Sequence, residues 1–229
     1  MTVSCRGVPP HKEEMNFRIS TKNSSGLIVY RVDWFSSVLV SGAVAKIFEY
    51  MVGSWKKVKY ETSLEYTKMT TKTDWWSKIE PYNIYLGALP LKNKNHEEMI
   101  CALEVRAVLS VVEDFELEPG WINTPVQVGD WIEKGIDVKR IPAVDFSPLQ
   151  PEQITEGLSY IRTAIDKGSP IYVHCKAGRG RSAALVIAYL MEKTKKSFDE
   201  VHAQVKACRK QINLNEAQQN AVKNYFLSR

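Results

Sequence analysis

Cysteine is scarce and scattered in this chain. Cys5, Cys101, Cys175 and Cys208 form no Cys-x-x-Cys pair, and His11, His96, His174 and His202 are equally dispersed. That spacing argues against a structural zinc site, and against a disulfide framework in a chain of 229 residues. Reduced thiols, and a reducing compartment, are the expectation. Long apolar runs are missing too. The stretch from Leu27 to Val52 is apolar but broken by Arg31, Asp33, Lys46 and Glu49. Its longest uncharged piece, Trp34 to Ala45, falls short of the roughly 20 residues a spanning helix needs. Nor is there strong charge of one sign: 31 basic against 26 acidic residues leave +5, too little to imply a nucleic acid partner.

What is present is ordinary globular composition, 44% hydrophobic and 25% charged, enough for a sizeable core. The charge is unevenly placed. Residues 1–74 hold eleven basic and seven acidic residues, whereas the rest is nearly balanced. The sequence therefore reads as an N-terminal extension over 1–74 and a folded domain over 75–229. Leu27–Val52, followed by Lys56, Lys57 and Lys59, fits either an amphipathic helix lying in a membrane interface or a helix packed on the domain surface. A start at Met1 places Glu13 and Glu14 in the leader, which a mitochondrial presequence avoids. A start at Met15 gives a stretch with Arg18, Lys22 and Arg31 and no acid before Asp33, which looks like one. Residues 53–74, rich in Lys, Thr and Tyr, read as a linker.

From Trp75 the pattern alternates. Asn83–Ala88, Val105–Val112, Ile136–Ala143 and Ile171–His174 are predicted strands. Thr124–Pro125 reads as a helix start. Pro151 opens a helix whose Ile154, Leu158, Ile161 and Ile165 share a face and which Gly168 closes. Ser182–Thr194 reads as a buried helix. Ser197 and Glu200 make a capping box for the next, with Val201, Val205, Cys208 and Ile212 as its core stripe, and Asn215 caps the last. The expected fold is α/β: a mainly parallel sheet flanked by helices, with a helical N-terminal extension.

The chemistry concentrates in Ile171-Tyr-Val-His-Cys175-Lys-Ala-Gly-Arg-Gly-Arg181-Ser182. A buried strand delivers Cys175 to a short loop and a helix begins near Ser182. Backbone N–H groups of such a loop and the helix N-terminus both favour an anion. Gly178 and Gly180 permit the tight curvature. Arg181 can return its planar fork to two phosphate oxygens, and Ser182 can donate to the sulfur. The same field lowers a thiol from its usual value of about 8.5, so Cys175 is expected to be a nucleophilic thiolate. Cys101 and Cys208 fit buried structural thiols instead. Lys176, Ala177, Gly178, Arg179 and Gly180 are the expected phosphate-binding loop, with Lys176 and Arg179 free to meet further negative charge.

His174-Cys175, five residues, then Arg181-Ser182 resembles the signature of the cysteine-dependent protein tyrosine phosphatase superfamily, and the domain length resembles its compact dual-specificity branch. The resemblance implies a general acid on a separate loop. Asp145, in Val144-Asp145-Phe146-Ser147-Pro148, matches that place; Asp137 falls inside a strand pattern. It further implies a phosphocysteine intermediate formed on Cys175, loop organisation by His174, and no metal or cofactor. The cationic loop is similar to that of members acting on phospholipid headgroups. Asp74-Trp75-Trp76-Ser-Lys-Ile-Glu-Pro81, Leu86-Gly87-Ala88-Leu89-Pro90-Leu91 and Glu113-Asp114-Phe115-Glu116 resemble the mitochondrial phosphatases that convert phosphatidylglycerophosphate to phosphatidylglycerol for cardiolipin synthesis. The implied setting is a monomer acting on an anionic phospholipid in peripheral contact with the mitochondrial inner membrane, with the cytoplasm as alternative. A protein or phosphoinositide phosphatase is the rival in the same class, and a non-catalytic phosphate-binding module the rival outside it.

Overall fold

A computed structural model describes residues 18–20, 29–32, 35–39, 53, 55–65 and 74–228. The chain divides into two units, Met1–Lys56 and Lys57–Arg229. In the first, β1 (Arg18–Ser20), β2 (Val29–Val32) and β3 (Phe35–Leu39) pair antiparallel in that order. At residues 29–32 and 35–39 this corrects the helix expected over 27–52. Val29, Tyr30, Val32, Phe35 and Val38 are β-branched or aromatic, and that strand preference prevails where no strict helical period opposes it. The remainder of that stretch, and residues 15–17 and 21–28 of the presequence reading over Met15–Val32, lie outside the described residues.

The linker expected over 53–74 is corrected at 55–65, and residues 54 and 66–73 of it lie outside the described residues. Residues 55–65 form a helix, α1. Its Tyr60 and Leu64, one turn apart, are buried in the main core. The second compact unit thus takes in most of this helix, from Lys57 onward. The cue was the spacing of Tyr60, Glu61 and Leu64, which a composition reading overlooks.

The second unit is built on β4 (Trp76–Lys78), β5 (Ile84–Gly87), β6 (Ala107–Ser110), β7 (Asp137–Arg140) and β8 (Ile171–His174), ordered β4-β5-β8-β6-β7. Only β4 runs antiparallel to its neighbour. It went unpredicted because three residues carry too little alternation to register. β5, β6 and β7 match expectation but are shorter, and β8 has the expected bounds. Val111 and Val112 continue the apolar run past the end of β6, buried outside the strand. β8 is central, paired on both edges and buried at all four residues, which is why it reads as a continuous apolar run.

Around the sheet lie α2 (His96–Cys101), α3 (Val128–Glu133), α4 (Pro151–Asp166), α5 (Arg181–Thr194), α6 (Phe198–Cys208) and α7 (Glu216–Leu227). The helix start expected at Thr124–Pro125 is displaced. Pro125 bridges Leu91, and α3 opens only after Gln127, whose N–H donates to Asp130. α4, the Ser197–Glu200 box and the Asn215 cap are as expected. α6 stops at Cys208, so Ile212 reaches the core from the following loop. α5 is buried from Arg181 to Leu190. Such burial fixes the axis of the helix whose N-terminus faces the end of β8.

Candidate active site

Cys175 follows β8 directly, and the loop from Lys176 to Gly180 runs into α5. The loop's carbonyls are tied to its outside. Val111 N–H donates to His174 O at 2.8 Å, Leu89 N–H to Lys176 O at 3.2 Å, and Asn213 N–H to Arg179 O at 2.9 Å. Arg209 takes the two between: its Nε donates to Gly178 O at 2.9 Å and Nη2 to Ala177 O at 3.2 Å. In a trans peptide the C=O and the following N–H point opposite ways. Anchoring the carbonyls of 176–179 outward therefore turns the N–H groups of Ala177, Gly178, Arg179 and Gly180 toward the centre. Gly178 sits at φ +64°, and a Cβ there would lie 2.3 Å from Gly87 O. No side chain fits that position.

Arg209 is 1% exposed, and burial draws its guanidinium down to about 10, still a cation at neutral pH. It also donates from Nη1 to Asp74 O and from Nη2 to Trp75 O, each at 3.3 Å, joining the approach to β4 to the loop. Sequence reasoning missed it, since it belongs to no motif and lies far along the chain.

The Cys175 sulfur is buried and accepts from Ser182 Oγ at 3.2 Å. Burial pushes the thiol up, but the Arg181 cation and donors from Ser182 outweigh it, and the net shift is downward. His174, wholly buried, has its Nδ1 3.4 Å from Cys175 O, and burial drops its imidazole to about 3. It is neutral at physiological pH.

Arg181 is gripped on several sides. Its Nη1 and Nη2 donate to Glu116 Oε2 and Oε1 at 2.6 and 3.0 Å, a two-pronged pair with both side chains 1% exposed. Nη1 also donates to Ala143 O at 2.7 Å, and Nη2 lies 3.1 Å from Asp145 Oδ1. Its Nε is buried with no hydrogen-bond partner. One donor thus remains unused beside the loop. Glu116 sits in a short 3-10 turn, Asp114–Leu117, and accepts from Glu113 N–H at 2.8 Å. The Glu113–Glu116 resemblance pointed at this turn without assigning Glu116 its partner. The signal was a glutamate in an apolar-flanked stretch, which needs a cation if buried.

Asp145, on the loop between β7 and α4, reaches the same place, while Asp137 stays in β7. Asn215 Nδ2 donates to Phe146 O at 2.7 Å, and Gln153 Nε2 to Pro142 O at 2.6 Å, fixing that loop from α7 and α4. One expectation fails here. Lys176 is not free: it is buried, ion-paired with Asp145, and its Nζ lies 5.7 and 5.6 Å from the Tyr60 and Phe146 rings. A lysine inside the loop is close enough to Asp145 that pairing beats solvation. Arg179 is half-buried. Ala177 and Gly180 lie in the loop as expected. Cys101, in α2, and Cys208, ending α6, are free thiols, half-buried rather than buried as expected.

The model of the dual specificity phosphatase catalytic domain matches residues 84–226. The human phosphatidylglycerophosphatase and protein-tyrosine phosphatase 1 is 29% identical over 153 residues, 66% of this chain and 73% of that protein. The Arabidopsis thaliana phosphatidylglycerophosphate phosphatase PTPMT1 is 29% identical over 182 residues, 77% of this chain and 51% of that one. Among solved structures, PTPMT1 in complex with PI(5)P is similar with a TM-score of 0.60 and 28% identity, covering 68% of this chain and 96% of that one. Tk-PTP in its active form follows at a TM-score of 0.58 and 26% identity, over 66% of this chain and 95% of that one. A family match spanning well over half the chain, on a fold that shares its sheet and helices with these structures, makes this protein a member of the dual specificity phosphatases and a cysteine-dependent phosphatase.

Proposed function

We propose that the protein hydrolyses the phosphomonoester of phosphatidylglycerophosphate, releasing phosphatidylglycerol, with Cys175 as nucleophile, Arg181 as phosphate clamp, Asp145 as acid and base, and Ser182 as thiolate support. The observation that carries the chemistry is the buried, unpartnered Arg181 Nε beside the loop that begins with the lowered Cys175 thiol. A phosphate seated on the inward N–H groups of 177–180 takes Nε and the Nη2 position that Asp145 occupies at rest. The Cys175 thiolate attacks phosphorus as the ester P–O bond breaks, and Asp145 gives its proton to the departing oxygen. Water then attacks the phosphocysteine, its proton passes to Asp145, and the S–P electron pair returns to sulfur, where Ser182 Oγ donates. Loop dipoles and Arg181 hold the equatorial oxygens in both steps. His174, neutral, orders the loop.

The lipid assignment rests on the human and Arabidopsis relatives, whose names give that substrate, and on the cationic Arg179 in the loop. The PI(5)P complex keeps a phosphoinositide as the second reading. The proposed setting is the mitochondrion, with the catalytic unit peripheral at the inner membrane. Among the described residues no helix is long and apolar enough to cross a membrane. Purified protein offered phosphatidylglycerophosphate, phosphoinositides and phosphopeptides at equal concentration tests this. A kcat/KM for phosphatidylglycerophosphate at least about tenfold above the others supports it, since differential transition-state binding defines specificity. Preference for a phosphopeptide overturns it.

A further inference from the structure

Helix α1 lies outside the family match, which begins at residue 84, yet it braces the segment that holds Arg181. Residues 57–65 contact that segment at three places. Tyr60 Oη donates to the main-chain oxygen of Glu116 at 3.3 Å, and its ring meets Phe115 edge-on with centroids 5.5 Å apart. Further along, Asn123 Nδ2 donates to Glu61 Oε2 at 2.9 Å and Glu65 Oε1 at 2.8 Å. Between these, Lys57 pairs with Glu118 at 3.5 Å. Gly120 supplies the close approach: a Cβ there would fall 1.6 Å from Glu61 Oε1. Tyr60, Glu61 and Leu64 are buried. Glu116 is therefore fixed by its own short turn and by a helix from the N-terminal side.

We infer that α1 is part of the catalytic machinery, and that Tyr60 and Asn123 are positioning residues setting the register of Glu116 and, through it, of Arg181. The physical chain is short. Glu116 supplies two of the hydrogen bonds that orient the guanidinium, and a two-pronged pair transmits a shift of the carboxylate directly to the fork. The guanidinium in turn stabilises the Cys175 thiolate. Loosening α1 should therefore move the acidity of a sulfur that α1 does not itself hydrogen-bond. Tyr60 also borders Lys176, so the helix closes one side of the Lys176–Asp145 pair. The inference rests on the roles proposed for Cys175 and Arg181, but not on the lipid substrate.

The test uses the full chain with Tyr60→Phe, Tyr60→Ala and Asn123→Ala, and Cys175→Ser as the alkylation blank. An aryl phosphate with a good leaving group reports kcat/KM. Vanadate inhibition reports the Arg181 clamp, the pH midpoint of iodoacetamide alkylation reports the thiol, and Tm reports folding. Loss of one hydrogen bond in the chain predicts vanadate binding about 3- to 10-fold weaker in Tyr60→Phe. The alkylation midpoint should rise by about half a pH unit or more as the Arg181 cation drifts from the sulfur. Asn123→Ala should move both readings the same way. Lower Tm with vanadate affinity and thiol midpoint unchanged would make α1 mere packing and overturn the inference. If Tyr60→Ala does not fold, Tyr60→Phe and Asn123→Ala, which keep the ring in place, still decide. A parent protein whose thiol midpoint is not lowered, or in which Cys175→Ser retains activity, overturns the underlying site assignment instead.

Discussion

At the scale of single residues, the site depends on charge held in fixed places. Cys175 is lowered because the Arg181 cation and Ser182 donors overcome burial. Iodoacetamide should inactivate the enzyme rapidly near pH 6.5, and phosphate or vanadate should protect it. Alkylation that accelerates only above the ordinary thiol range of about 8.5 would contradict this. Asp145 has a different signature. Asp145→Asn should slow alkyl phosphates by about 100-fold or more and low-pKa aryl phosphates much less, because only the alkyl leaving oxygen needs the proton. Equal losses across leaving groups would assign the acid elsewhere. Lys176 and Arg179, alike in sequence, now separate. Lys176→Met removes the partner of Asp145 and should slow lipid and alkyl substrates together. Arg179→Gln should weaken the phospholipid, which adds a phosphodiester charge to the scissile monoester, more than a small aryl phosphate. Parallel losses for both variants on both substrates, vanishing in moderate salt, would reduce the two cations to a general potential.

Elements contribute by where they end. β8 stops at His174 and α5 starts at Arg181, which leaves six residues to close an anion cradle. That closure holds because Arg209, from the end of α6, occupies the outer carbonyls of Ala177 and Gly178. Arg209→Met should leave buried carbonyls unpaired and cost about 2–4 kcal/mol of stability, with turnover reduced more steeply than Tm alone suggests. Urea unfolding together with kcat measures both; an active, fully stable variant would show that the loop closes without it. Gly178→Ala should be worse still. It adds left-handed strain to a collision with Gly87 O, so vanadate binding should be lost even where the protein remains folded.

At the scale of the whole molecule, a neutral histidine at the core couples folding to pH. His174 titrates at about 3 when folded and near its ordinary 6.5 when unfolded. The unfolded chain then binds the extra proton below 6.5, so the stabilisation is complete above that pH and declines as pH falls toward 3. The slope approaches about 1.4 kcal/mol per pH unit between those limits. Urea denaturation from pH 7 to 4 should show it, and His174→Gln should flatten it. An equally steep decline in the variant would place the acid sensitivity in the carboxylates.

The sequence by itself determined what is local. The end of β8, the glycines, Cys175, Arg181 and Ser182 are contiguous, and a strand, a tight loop and a helix N-terminus impose their chemistry at fixed spacing. α4, the Ser197–Glu200 box and the Asn215 cap were legible for the same reason, because their periods and caps are satisfied within a few residues. Only the tertiary structure decided the rest. Glu116 is 65 residues from Arg181, Arg209 is 31 from Gly178 and Tyr60 is 56 from Glu116, and no short-range pattern encodes those pairings. The helix at 55–65 inside the expected linker and the lysine that proved to be paired with Asp145 share one cause. Each is polar in composition, and only a partner brought from elsewhere in the fold turns that polarity from solvated surface into buried machinery.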